Sequence, residues 1–521
     1  MNLSQQRREE SIRKIKEIRE FIKRSAQDEN ARQLLTYLGE LEKEVKGKKY
    51  GLVFEEHREA IDETLETHAP VLTEQEDLFI DNGGQMNCLI EGDNLAALEL
   101  LLKTHRGKID IIYIDPPYNT GKEFVYNDNI VDIRDTYRHS KWLSFIKERL
   151  IIANKLLANT GVIFISIDDN EFAQLKVLSD SIFSESNFIA NFCVIRAEGG
   201  GLAKQVVKGH DYCLVYAKNI SKFTPLARPK DIRGKIIEKK GIKYWIQEDW
   251  LRKEFGKYGN CHYEEIEEIK GTAYKNEIDK GLKQGLYILI PKPNGLHIVG
   301  KLRQLDLDCS KFYSILKHLN KNGVNELQEL EIDFNYPKPV SLIQELILGA
   351  SYFKKKSTVL DFFAGSGTTG HAVLKLNAED GGMRRFILCT NNENNICRDI
   401  TYERIRRVID KEGYAASLKY YKIDFVPISD RLYYEYADEL LLHIRELVEL
   451  ENGVNFRNNS EIAIVLTDEE LDAFMENRSA LKACKALYVG HDVLINGKQS
   501  AALKRRKITV NVIPQYYYEE S

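Results

Sequence analysis

The run Ile109-Asp-Ile-Ile-Tyr-Ile-Asp115-Pro116-Pro117-Tyr118-Asn119-Thr120-Gly121 places a carboxylate, two prolines and a phenol at the end of an apolar stretch. Pro116 and Pro117 fix φ and lack N–H groups, so the backbone there offers carbonyls that can only accept hydrogen bonds. An amino group has two hydrogens to donate. The Asp115 carboxylate and the Pro116 carbonyl could take both, draw the nitrogen toward sp³ and expose its lone pair to an electrophile. No separate base is needed at the attack step, because the proton becomes acidic only after the new bond has formed. The Tyr118 ring adds a face on which a flat base could stack, which suits a nucleotide flipped out of a duplex. The bland alternative is a structural turn.

A second run, Val359-Leu-Asp361-Phe-Phe363-Ala364-Gly365-Ser366-Gly367-Thr368-Thr-Gly370, sets three glycines between a strand pattern and a helix pattern. Glycine lets the backbone approach a ligand, and N–H groups at the helix start face its polar atoms. Taken alone, Gly365-x-Gly367-x-x-Gly370 also fits a dinucleotide fingerprint, so it indicates a nucleoside-containing ligand without naming it. A nicotinamide oxidoreductase would use the same loop but would leave Asp115 to Tyr118 unexplained.

These runs need a scaffold. Lys108 to Ile114 and Val162 to Ile167 read as buried strands, with a helix from Trp142 to Leu157 between them. Thr358 to Phe362, Arg385 to Cys389 and Leu418 to Phe425 read as further strands, which together give an open α/β sheet. Ahead of it, Ile12, Ile15, Ile18 and Ile22, then Leu35, Leu38, Leu41 and Val45, recur at helical spacing. Two amphipathic helices are expected there, packed on their own chain or on a second copy. Between Lys218 and about Leu330 the βα rhythm lapses, and Pro427 to Ser521 is a separate mixed segment. The expected organisation is an N-terminal helical region over 1–75, a core over 76–425 interrupted by an insertion over 219–332, and a small C-terminal α/β domain over 426–521.

Composition narrows the class. The chain of 521 residues is 43% hydrophobic and 30% charged, in the globular range, and holds no apolar run of about 20 residues. Gln5, Gln6, Arg7, Arg8, Glu9 and Glu10 do not make a signal peptide, so a cytoplasmic location is expected. The eight cysteines form no C-x-x-C pair, which argues against disulfides and structural zinc, and no metal site is expected. A net charge of -4 excludes a chain-wide basic coat, so nucleic acid would need a local positive surface. Lys218 to Lys243 supplies one: nine Lys/Arg face only Asp231 and Glu238, and Tyr244, Trp245, Trp250, Phe255 and Tyr258 follow. A second basic cluster, Lys504-Arg505-Arg506-Lys507, is shorter.

With the tetrapeptide ahead of the glycine loop, the chain resembles the amino-methyltransferases of DNA, and within them the modification subunit of type III restriction-modification systems. The similar runs are Gly51-Leu-Val-Phe, Leu89-Ile-Glu-Gly92-Asp93-Asn94, Asp115 to Gly121, Ile165-Ser-Ile-Asp168-Asp169-Asn-Glu171, His210-Asp-Tyr-Cys-Leu-Val-Tyr, Phe334-Asn-Tyr-Pro337-Lys338-Pro339, residues 361 to 370, and Ile400-Thr-Tyr-Glu-Arg404. The resemblance implies a Rossmann-like core that uses S-adenosylmethionine, with Asp115, Pro116, Pro117 and Tyr118 as the catalytic loop. It implies that Asp361, Phe363, Ala364, Gly365, Ser366, Gly367 and Thr368 bind the cofactor, that Asp93 holds its adenine, and that Lys338 faces its methionine end. It further implies a target-recognition insertion in which Lys235, Lys239, Lys240 and Lys243 contact double-stranded DNA, a homodimer, and a helicase-nuclease restriction subunit as partner. Aspartate at the head of the tetrapeptide accompanies adenine N6 methylation in this class, with cytosine N4 as the alternative; a DNA-reading scaffold for the partner is a further one. Cytosine C5 chemistry is disfavoured because no Pro-Cys pair occurs. The chain departs from the pattern where an acid for the ribose hydroxyls is common: the strand ends in Thr390-Asn391-Asn392-Glu393, and Glu393 or an adjacent asparagine is left to serve.

Overall fold

Continuous apolar runs mark strands covered on both faces, and Ile109–Ile114 and Thr358–Asp361 lie side by side in the middle of one large sheet. The computed structural model describes residues 3–24, 34–35, 37–39, 42, 54–120, 137–199, 205–232, 234–254, 259–428, 443–455, 459–490 and 493–512. The chain divides into two compact units, Met1–Glu55 and Glu56–Ser521. In the first, Leu3–Arg24 is a helix. Ile15 and Leu38 are buried, and Arg19 pairs with Glu42 at 2.7 Å. Leu41 and Val45 of the expected second helix lie outside the described residues.

The second unit opens with the helix Ala60–Thr67, and its first strands are β1 (His68–Glu74), β2 (Gln85–Glu91), β3 (Ile109–Ile114), β4 (Leu157–Ile167), β5 (Phe188–Ile195) and β6 (His210–Ala217). An interrupting segment carries β7 (Ala227–Pro229), β8 (Ile236–Lys239), β9 (Ile242–Gln247), β10 (Tyr287–Pro291), β11 (His297–Gln304) and β12 (Cys309–Lys311). The chain returns through β13 (Ile315–Lys317), β14 (Thr358–Asp361), β15 (Arg385–Thr390) and β16 (Ala416–Pro427), and ends with β17 (Ile462–Val465), β18 (Ala486–Val489) and β19 (Thr509–Val512).

Ten strands form the large sheet in the order β1-β16-β2-β15-β14-β3-β4-β6-β5-β13. From β16 through β4 the neighbours are parallel, while β1 runs antiparallel at one edge and β6 antiparallel to β4 and β5. This is a Rossmann-like α/β core. Helices Asn94–His105, Arg138–Leu156, Val340–Ser351 and Thr368–Asp380 accompany it, and its buried cluster runs from Ile111 and Phe164 to Ile347, Leu388 and Ile405. Val359 pairs with Ile111 and Leu360 with Ile112, so the two candidate loops leave adjacent parallel strands at their carboxyl ends, where open α/β sheets bind ligands.

Two boundaries differ from the sequence reading. The region expected to be helical through residue 75 ends in β1, a strand that tolerates Pro70 because it lies on the sheet edge. The interrupting segment builds its own four-stranded sheet, β10-β11-β9-β8, over a small core of Leu251, Cys261, Ile266, Ile278 and Val299. It does not extend to 332, however, because β13 pairs with β5 and Leu316, Leu327, Leu330 and Ile332 pack into the main core. A three-residue strand is too short to leave a periodic signal. The C-terminal segment forms a parallel β17-β18-β19 sheet with its own core around Leu471, Leu487 and Leu503. Ahead of that sheet, the helix Ile444–Asn452 is pinned to β16 by Lys419 and the fully buried Glu449. Among the described residues no helix is long and apolar enough to cross a membrane.

Candidate active site

The tetrapeptide begins where β3 ends. Asp115 Oδ1 accepts a 2.7 Å hydrogen bond from the Tyr118 hydroxyl and lies 3.3 Å from Lys338 Nζ. Lys338 Nζ donates to the Tyr118 hydroxyl at 2.6 Å and to Asp211 Oδ2 at 3.4 Å, and Arg196 Nε lies 3.3 Å from Asp211 Oδ1. Burial pushes the Asp115 carboxyl above the usual carboxylate range, against the pull of Lys338 and Tyr118. Burial works against the Lys338 ammonium, yet the combined pull of Asp115 and Asp211 carries it above the usual lysine value. The tetrapeptide is therefore held in a charge-balanced cluster of two carboxylates and two cations.

Trp142 Nε1 donates to the Pro117 carbonyl at 2.7 Å. Among the described residues no hydrogen bond to the Pro116 carbonyl is found. Of the two proline carbonyls, Pro117 thus already accepts one hydrogen bond, whereas both lone pairs of Pro116 are left without a donor among the described residues. Asn119 follows in the left-handed region at φ 53°, turning the chain out of the loop.

The glycine loop is shaped from beneath. Asp361 Oδ1 accepts from Phe363 N at 2.9 Å and Oδ2 from Thr369 Oγ1 at 2.5 Å, and burial pushes the carboxyl up to about 7. Gly367 N donates to Ala364 O at 2.7 Å, and Gly367 adopts φ 76° immediately before the helix Thr368–Asp380. The fully buried Arg404 donates to Ser366 Oγ at 3.0 Å and Thr368 Oγ1 at 2.8 Å. Thr368 Oγ1 in turn reaches the Lys338 carbonyl at 3.3 Å, joining this loop to the tetrapeptide's lysine. Beside it, Asp93 caps the helix Asn94–His105 by accepting from Leu95 N at 2.7 Å, and Asn94 Nδ2 donates to Phe362 O at 3.0 Å. At the end of β15 the buried Oδ1 of Asn391 has no hydrogen-bond partner among the described residues.

The structure thus brings Asp115, Pro116, Pro117 and Tyr118 together with Lys338, and the 361–368 loop together with Asp93. It places Lys338 against the tetrapeptide, as a buried group rather than the solvated charge its isolation after a proline would favour. The Tyr118 hydroxyl, and not only its ring, is engaged. Lys235, Lys239, Lys240 and Lys243 lie apart, all exposed on the β8–β9 hairpin, whose turn passes through Lys240 at φ 53° and Gly241 at φ 77°. Trp245 and Trp250 support that sheet from within: Trp245 Nε1 donates to the buried Asp308 at 2.6 Å and Trp250 Nε1 to Val299 O at 2.7 Å. Arg233, Phe255 and Tyr258 lie outside the described residues, as do Gly121 and residues 51–53. Sequence reasoning gave no role to Asp211, Trp142, Glu171 or Arg404; Asp211, Glu171 and Arg404 fall inside runs that carried the resemblance, which was the available signal.

Residues 109–403, from β3 through the start of the helix that carries Arg404, match the N6/N4 DNA methylase family model. The chain belongs to the N6/N4 DNA methylase family. Among relatives of this methylase, the Mod subunit of the type III restriction-modification enzyme StyLTI from Salmonella typhimurium is 34% identical over 64% of this chain and 58% of its own length. The type II methyltransferase M.KpnI of Klebsiella pneumoniae is 33% identical over 64% of this chain and 90% of its own. The Mod subunit of the type III enzyme EcoPI of Escherichia phage P1 is 30% identical over 76% of this chain and 71% of its own. This methylase therefore spans a little over half the length of the Salmonella relative it matches.

Proposed function

We propose that this methylase transfers a methyl group from S-adenosylmethionine to adenine N6 in double-stranded DNA, as the modification subunit of a type III-like restriction-modification system. The observation that carries the reading is the pair of acceptors at the tip of β3. Asp115 and the Pro116 carbonyl stand at the carboxyl end of β3, beside the glycine loop of β14, and Trp142 donates to the neighbouring Pro117 carbonyl. Two acceptors suit an amine with two hydrogens. Asp115 and Pro116 orient that amine, and Asp115 takes up the proton released once the nitrogen is alkylated.

The residues present fit the cofactor. The glycine loop offers its backbone, Asp93 and Asp361 to Thr368 line the approach, and the unpartnered Asn391 Oδ1 supplies the ribose acceptor in place of an acid. When bound, the cofactor supplies an electrophilic methyl on a sulfonium. The exposed lysines of the β8–β9 hairpin provide phosphate contacts. The type III Mod relatives support a helicase-nuclease partner subunit.

The test is transfer of labelled methyl to genomic DNA followed by nucleoside mass spectrometry. N6-methyladenine is expected. N4-methylcytosine would move the target to the other amino base, and unlabelled DNA would overturn the reading.

A further inference from the structure

Glu171 is fully buried, yet its charge is only half partnered. Its Oε1 accepts 2.6 Å hydrogen bonds from Asn119 Nδ2 and His139 Nδ1, while Oε2 has no hydrogen-bond partner among the described residues. Burying a carboxylate in this way is costly and raises its pKa despite both donors. Such a group persists where its position is worth more than its solvation.

That position is the exit of the catalytic loop. Glu171 lies just beyond the carboxyl end of β4, the parallel neighbour of β3, where Ile165 pairs with Ile114 one residue before Asp115. Asn119 follows Tyr118 directly, is 2% exposed and adopts φ 53°, a left-handed conformation that asparagine tolerates better than most residues. Its amide is gripped twice, by Glu171 and by the Arg138 carbonyl at 3.3 Å. Arg138 Nε donates to His139 Nε2 at 3.2 Å, which leaves His139 Nδ1 as the donor to Glu171. One turn on, Trp142 holds the Pro117 carbonyl. The start of the helix Arg138–Leu156 and the β4 loop therefore close on the tetrapeptide from two sides, with Glu171 at their junction.

We propose that Glu171 is a positioning residue for methyl transfer: through Asn119 it fixes the backbone turn that aims Asp115 and the Pro116 carbonyl at the target amine. This role rests on the proposed methyltransferase reading. It predicts a defect in the chemical step with binding intact, since Glu171 acts through the loop geometry and a displacement of about 1 Å costs up to about 100-fold in rate.

The experiment measures single-turnover methyl transfer, cofactor Kd and duplex Kd for Glu171→Ala, Glu171→Gln, Asn119→Ala and the Glu171→Ala/Asn119→Ala pair, with melting temperature alongside. Glu171→Ala and Asn119→Ala should each slow transfer by about 10- to 100-fold, with both affinities within about two-fold. The pair should be no slower than the slower single variant, because the Glu171–Asn119 hydrogen bond is lost in both. Glu171→Gln keeps an oxygen for Asn119 and His139 and should recover most of the rate. If Glu171→Ala does not fold, Asn119→Ala and Glu171→Gln carry the comparison. Wild-type rates in the alanine variants, additive losses in the pair, or a Glu171→Gln enzyme as slow as Asn119→Ala would overturn the proposal. An inactive wild type would instead remove the methyltransferase reading itself.

Discussion

Lys338 stands 220 residues beyond Tyr118 in the chain, and its ammonium donates to the Tyr118 hydroxyl at 2.6 Å. The same ammonium lies 3.3 Å from Asp115 Oδ1, so one buried cation sets the charge environment of the carboxylate proposed to hold the amine.

A pH dependence follows. Burial raises the Asp115 carboxyl above its ordinary value of 3.8, and Lys338 opposes that rise. Only the ionised Asp115 can take up the proton released from the alkylated amine, and it is the stronger acceptor for that amine, so the acid limb of kcat/KM should lie above the ordinary carboxylate range. Lys338→Met removes the opposing pull and should move the limb to higher pH, while Lys338→Arg should hold it lower. A limb that stays in place while cofactor Kd rises would assign Lys338 to the cofactor's carboxylate instead.

The glycines of the loop should separate by function. A Cβ at Gly367 would sit at φ 76° and 3.2 Å from Thr401 Cγ2, whereas one at Gly370 would fall 2.6 Å from Ile405 Cδ1 and 3.1 Å from Leu388 Cδ1. Gly367→Val should cost about 1–2 kcal/mol of left-handed strain and weaken S-adenosylmethionine binding in a protein that still folds. Gly370→Val overpacks the helix against the sheet, at about 1–3 kcal/mol, and should lower Tm while the folded fraction keeps its cofactor affinity. Calorimetric titration and thermal melting distinguish the two; unchanged affinity in Gly367→Val would reduce this loop to a turn.

What could be read from the sequence follows from locality. β3, β14 and β15 declare themselves because a strand buried on both faces needs a continuous apolar run, and the Asp115 and Gly365 loops follow directly from such runs. The partners of those loops do not. Lys338, Trp142 and Glu171 reach Asp115 to Asn119, and Asp211 reaches Lys338, through strand order, which no periodicity encodes. β13 escaped notice because three residues show no pattern, and Trp245, grouped by sequence with a basic run, proved to be a support for Asp308.

The β8–β9 hairpin makes an electrostatic prediction. Lys235, Lys239, Lys240 and Lys243 are exposed on one short hairpin, and lysines that neutralise phosphates release condensed counterions. Replacing all four with neutral residues should weaken binding to every duplex and flatten the slope of log K against log salt by up to about 0.9 for each phosphate no longer neutralised. Cofactor affinity should not change. Fluorescence anisotropy over a salt series checks this; wild-type affinity and slope would make the hairpin a solvated face.

The most direct test of the account compares wild type with Asp115→Ala in labelled methyl transfer to duplex DNA, with cofactor titrated into both. The account predicts that Asp115→Ala loses transfer by orders of magnitude while binding S-adenosylmethionine nearly as wild type does, because the carboxylate serves the target amine. An Asp115→Ala enzyme that methylates DNA at a comparable rate would contradict it.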